Sequence, residues 1–129
     1  MRMTILAAIL FGLLFGATQL FAASVDSVAV CTAVVDRTCE GASDSFPSNV
    51  GKVFAYTRIM GMDEGGSVTH RWIFKGQVMA ETKLNVGGPN WRTWSSKNID
   101  PLWSGAWKVE IVNNADNSVM DILEFTVTE

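Results

Sequence analysis

Apolar and polar residues alternate along most of this chain beyond its first two dozen positions, a pattern that an amphipathic helix does not produce. From Lys52 to Met60, Val53, Ala55, Thr57 and Ile59 face one way, against Phe54, Tyr56, Arg58 and Met60. Val68, His70, Trp72 and Phe74 share one side of the next segment; Thr69, Arg71, Ile73 and Lys75 share the other. A fourth, Val78 to Val86, sets Val78, Ala80, Thr82, Leu84 and Val86 against Met79, Glu81, Lys83 and Asn85. Strands are also predicted over Val28 to Asp36, Trp91 to Lys97, Trp107 to Ile111 and Val119 to Val127, the last with Val119, Leu123, Phe125 and Val127 on one face. Thr38 to Asn49 reads as a loop, and so does Asn98 to Gly105. Lys75-Gly76-Gln77 reads as a hairpin turn, and turns also fall at residues 61–66, 87–90 and 113–118. Seven strands in about a hundred residues fit an all-β, immunoglobulin-like antiparallel β-sandwich, with a small antiparallel barrel as the alternative.

The N-terminus follows another logic. Met1-Arg2-Met3-Thr4 is a short positive stretch, Ile5 to Leu14 an apolar run, and Phe15 to Ala23 leads into small residues. This is the layout of a secretory signal peptide over residues 1–23, with the mature domain, 24–129, starting between Ala23 and Val25. The apolar run is short for a membrane span of ~20 residues, so no membrane association is expected after cleavage. Export to the periplasm or the extracellular space follows. Losing Arg2 takes the 10 basic residues to 9 against 13 acidic ones, a net charge of −4. That acidity excludes nucleic acid as a partner, because phosphate neutralisation needs a basic stripe. Both cysteines, Cys31 and Cys39, fall in the exported part, where a disulfide is favoured over two free thiols. A single His and no C-x-x-C spacing predict no metal and no cofactor.

The segment from His70 to Val127 carries further motifs: His70-Arg71-Trp72, Leu84-Asn85-Val86, Trp91-Arg92-Thr93-Trp94-Ser95-Ser96-Lys97, Gly105-Ala106-Trp107-Lys108-Val109 and Leu123-Glu124-Phe125. With these it resembles the family named domain of unknown function 2914. The likeness extends upstream through Asp36-Arg37-Thr38, Phe46-Pro47 and Phe54-Ala55-Tyr56-Thr57. One departure is Cys39, where similar sequences carry Pro, so the cysteine pair is a question of this chain alone. The resemblance implies a bacterial exported β-domain and supplies no activity.

All five tryptophans lie between Trp72 and Trp107. In the run from Trp91 to Lys97, Trp91, Thr93, Ser95 and Lys97 point one way and Arg92, Trp94 and Ser96 the other. One indole therefore enters the core and the other covers the opposite face or an edge. His70 shares a face with Trp72 and Phe74; if that face is the core, it is a neutral histidine bonded to a carbonyl or a neighbouring Ser. A triad would need His70 with a Ser such as Ser95 and an acid such as Asp100, but no G-x-S-x-G elbow or phosphate loop marks an enzyme. Two functions follow. One is a non-catalytic binding module for a glycan or envelope polymer, using His70, Trp72, Trp91, Arg92, Trp94 and Lys97. The other is a structural or protein-interaction domain, with those residues in the core and a sheet edge open to a partner strand. An exposed Trp among Trp91, Trp94 and Trp103, beside Arg92 or Lys97, is what the binding reading requires.

Overall fold

The strand Lys52–Met60 has neighbours on both sides, and the sandwich is built outward from it. The structure is a computed structural model that describes residues 22–129; all but the last two residues of the expected signal peptide lie outside it. Ten strands run through the described residues: β1 Ser24–Cys31, β2 Ala33–Val35, β3 Thr38–Glu40, β4 Ser45–Pro47, β5 Lys52–Met60, β6 Gly66–Phe74, β7 Gln77–Val86, β8 Asn90–Asn98, β9 Gly105–Asn113 and β10 Ser118–Thr128. One sheet has the order β1-β5-β8, the other β4-β10-β9-β6-β7, and β2-β3 form a small hairpin. Every pairing is antiparallel except that of β4 with β10.

The seven long strands make an immunoglobulin-like sandwich. Its fourth long strand, β7, pairs with the third, β6, whereas a constant-type immunoglobulin domain sets the fourth beside the fifth. The consequence is a sheet of only three strands, with β8 at its edge and its outer face uncovered by any of the long strands.

Alternation drives the packing between the sheets. Val53, Ala55 and Ile59 of β5 meet Val68 and Trp72 of β6, Val109 and Ile111 of β9, and Leu123, Phe125 and Val127 of β10, all buried. Trp107 stacks between Phe74 (4.7 Å between ring centroids) and Phe125 (5.8 Å), and its Nε1 donates to the Trp103 carbonyl at 3.1 Å. Trp72 and Phe46 meet Phe125 edge-on. These aromatic groups supply much of the apolar burial that a domain of this size requires.

Several sequence expectations need correction. The strand predicted over Val28 to Asp36 is broken at Thr32, and the predicted loop from Thr38 to Asn49 contains β3 and β4. The chain doubles back through Asp36 and Arg37, both at positive φ (50° and 60°), as a two-residue type I′ hairpin demands. Val78 and Val119, placed by alternation on the same faces as Val86 and Leu123, which are buried, are 49% and 47% exposed. A bulge at Met79 pairs Val78 with Ile73, and one at Met120 pairs Val119 with Val112, so each valine moves to the opposite face.

Candidate functional site

The outer face of the three-stranded sheet carries Phe54, Tyr56 and Arg58 from β5, and Arg92, Trp94 and Ser96 from β8. The register sets Tyr56 opposite Trp94 and Arg58 opposite Arg92. Opposite residues on paired strands share a face, so both pairs are in contact range. The Tyr56 and Trp94 rings stack, with centroids 6.0 Å apart and planes 10° from parallel.

The β2–β3 hairpin lies against this face. Cys39 of β3 forms a disulfide with Cys31 at the end of β1, with their Cα atoms 5.8 Å apart. The Tyr56 hydroxyl donates to the Arg37 carbonyl at 2.8 Å, and Arg92 Nη1 donates to the same oxygen at 3.3 Å. One covalent bond and two hydrogen bonds thus bring the hairpin turn to the two β-sheet residues. Arg58 is fixed differently: its Nε donates to Asn90 Oδ1 at 2.8 Å, and its Nη1 lies 3.7 Å from Asp26.

Together Arg37, Arg58, Asn90, Trp91, Arg92 and Trp94 line a groove of about 520 Å³. Trp91, at the start of β8, is 38% exposed, but strand alternation turns its indole to the side opposite Arg92, so it borders the groove at its rim. Its six-membered ring lies against Gly87, where a Cβ would come within 2.6 Å of the ring. Glycine at that position makes room for the indole.

The six residues singled out in the sequence do not form one site. Trp91, Arg92 and Trp94 reach the groove. Lys97 places its Nζ 5.0 Å from the centre of the Trp103 ring, a cation–π contact away from those three. His70 and Trp72 have no exposed surface and lie between the sheets. Arg37 and Arg58 were not foreseen as site residues. The outward parity of Arg58 on a strand facing Arg92 is a signal; Arg37 reaches Arg92 across a separation of 55 residues, which no local pattern encodes.

His70 belongs to a buried polar chain. Trp72 Nε1 donates to Ser95 Oγ at 3.1 Å, Ser95 Oγ lies 2.7 Å from His70 Nδ1, His70 Nε2 lies 3.2 Å from Thr57 Oγ1, and Thr57 Oγ1 donates to the Thr93 carbonyl at 3.0 Å. The direction of the chain follows from its end. The Thr57 proton is committed to Thr93, so Thr57 accepts from His70 Nε2–H; Nδ1 is then an acceptor and takes the Ser95 proton. The imidazole is neutral, and burial pushes its pKa down to about 4. Ser95 and His70 are thus paired as in a nucleophile–base couple, but Asp100 is not attached, and Ser95 is buried with its hydroxyl used twice.

On the outer face of the other sheet, Arg71 donates to Glu81 at 3.1 Å and to Glu110 at 2.9 Å. The hydrogen bonds to Glu110 and Glu81 hold its proton more tightly than usual.

Residues 66–127 match the model of a family described as protein of unknown function (DUF2914). These residues, just under half of the chain, resemble the DUF2914 family. Among curated proteins no relative matches it. The DUF2914 match spans β6 to β10, which brings Trp91, Arg92 and Trp94 of the groove and His70, Trp72 and Ser95 of the buried chain within it. Tyr56, Arg37, Arg58 and the disulfide precede the matched DUF2914 residues. The family carries no assigned catalytic activity.

Proposed function

We propose that this protein is an exported, non-catalytic binding module that holds a glycan or envelope polymer in the groove between the β2–β3 hairpin and strands β5 and β8. The observation that carries the reading is the partly exposed Trp94, stacked on Tyr56, beside Arg58 and Arg92 on one concave surface. An indole offers an apolar face to a sugar ring, and guanidinium forks beside it take hydroxyls or acidic substituents. Export rests on the N-terminal leader pattern and is supported by the disulfide, which persists in oxidising compartments. Among the described residues, no helix is long and apolar enough to cross a membrane.

Titration with neutral and acidic envelope glycans, read by intrinsic Trp fluorescence, tests the proposal. A saturable shift that Trp94→Ala abolishes, without loss of fold, is the expected result. A flat response to every glycan would defeat it.

A second reading, a protein-interaction domain, has its own support at a sheet edge. β4 pairs only with Thr126–Thr128 of β10, and among the described residues no strand pairs with Ser118–Phe125 on the side away from β9. Val119 and Ile122 are exposed along that stretch. A partner strand recovered by pull-down and lost on Ile122→Pro, together with a silent glycan titration, would favour this reading.

A further inference from the structure

We propose that the groove selects a sugar carrying a tetrahedral oxyanion, that is, a phosphorylated sugar, alone or within a polymer. The inference rests on the groove being the binding site and names the ligand class.

The argument starts from charge. Arg58 and Arg92 stand directly opposite each other on β5 and β8, an unfavourable placement for like charges. Arg37 adds a third cation to the same groove. All 13 acidic residues fall within residues 22–129, so each has a described position. Only one of them, Asp26, comes within 4.0 Å of any groove arginine, at 3.7 Å from Arg58, with both side chains exposed. Arg71 is the contrast within the same molecule: where an arginine serves as a brace, two glutamates clasp it at 3.1 and 2.9 Å. The groove arginines lack that compensation, in a protein whose mature chain is acidic overall.

The donors that remain define the anion. Arg58 spends one N–H on Asn90 and Arg92 one on the Arg37 carbonyl. Among the described residues, no acceptor takes the guanidinium protons of Arg37. A carboxylate presents two coplanar oxygens and is saturated by a single fork. Two forks on neighbouring strands and a third on a hairpin suit an anion with oxygens in three directions, as a phosphate monoester has. Trp94, partly exposed and backed on one side by Tyr56, supplies the ring for the sugar. Asn90 gives its Oδ1 to Arg58, which leaves its amide protons for a hydroxyl or a phosphate oxygen.

The test uses the mature protein and five probes: glucose 1-phosphate, glucuronate, glucose, inorganic phosphate, and vesicles containing phosphatidylglycerol. Binding is measured by calorimetry and Trp fluorescence. Glucose 1-phosphate is expected to bind at least tenfold more tightly than glucuronate, glucose or inorganic phosphate, and more tightly than any vesicle. Arg58→Gln and Arg92→Gln each weaken it about tenfold or more, Arg58→Lys weakens it less, and Arg71→Gln leaves it unchanged. Near-ultraviolet circular dichroism confirms that the variants fold. Glucuronate or glucose binding as well as the phosphate ester overturns the oxyanion while the binding module stands. Inorganic phosphate binding equally well overturns the sugar. Vesicle binding that needs Arg58, without binding of the sugar ester, replaces the sugar with a lipid headgroup and overturns the proposal. Silence from every glycan, neutral or anionic, overturns the binding module and this inference together.

Discussion

Ser95 gives its hydroxyl proton to His70 across the interior of the sandwich, Oγ to Nδ1 at 2.7 Å, joining an edge strand of the small sheet to a central strand of the large one. Around this bond every donor points the same way, from the Trp72 indole to the Thr93 carbonyl. No buried side-chain nitrogen or oxygen among the described residues lacks a partner. Such a chain is stabilising only when complete, because the cost of an unpaired buried polar group exceeds the net gain of most hydrogen bonds.

The histidine makes stability depend on pH. Its folded pKa of about 4 lies below the value of 6.5 that applies when the chain is unfolded. The unfolded state therefore binds the proton more readily, and acid favours unfolding. The contribution is fully present above pH 6.5 and is lost as pH falls toward 4. At pH 5 the loss is about 2 kcal/mol, from roughly 1.36 kcal/mol per pH unit. Urea unfolding of the wild type and of His70→Gln at pH 7 and pH 5 measures it. The wild type should lose that much more than the variant; equal losses would mean that His70 is not the group responsible.

Removing Ser95 breaks two bonds at once. Ser95→Ala leaves the Trp72 Nε1–H and His70 Nδ1 without partners in a buried site. At about 1–3 kcal/mol for each orphaned group, the destabilisation should total about 2–5 kcal/mol. Thr57→Val removes the acceptor for His70 Nε2–H and should cost about 1–3 kcal/mol. The double variant should cost less than the sum, since both act on one ring. Chemical-denaturation midpoints decide the point.

Opening the disulfide loosens the groove before it unfolds the sandwich. The cysteines are 8 positions apart, and chain entropy assigns about 2.5 kcal/mol to a closure of that size. Cys31→Ser/Cys39→Ser should fall in stability by that amount. Hydrogen exchange should rise first at the β2–β3 hairpin, because only Tyr56 and Arg92 then hold Arg37 in place.

Two tryptophans should respond in opposite ways to truncation. Trp107→Ala removes a buried indole stacked between Phe74 and Phe125 and should cost about 3–5 kcal/mol. Trp91→Ala removes a partly open side chain at a strand end and should cost well under half as much. Acrylamide quenching of the wild type and of Trp91→Phe gives an independent check: the variant should lose the most accessible emission.

Periodicity was informative where strands are long and regular. Lys52 to Met60 is a strand with those bounds, and the alternation that placed Trp72 and Trp107 inside matches their burial. It merged β2 into the first strand and was silent for β3 and β4, whose three residues each carry too little alternation to register. It misled at Val78 and Val119, because one extra residue in a bulge inverts every face beyond it. The groove was legible only along β8. Arg58 and Arg37 join it through cross-strand register and a disulfide-held hairpin, and both depend on contacts far apart in the chain.

The turn at Asp36 and Arg37 holds two residues with side chains in a conformation that glycine or asparagine adopts more easily. A variant library ranked by heat tolerance would tend to put one of those at position 37. That change relaxes the turn and strips a cation from the groove in the same step. Under the proposed function, selection for a sturdier molecule and selection for ligand capture thus pull this single position in opposite directions, and a thermostabilised version of the protein should be checked first for the identity of residue 37.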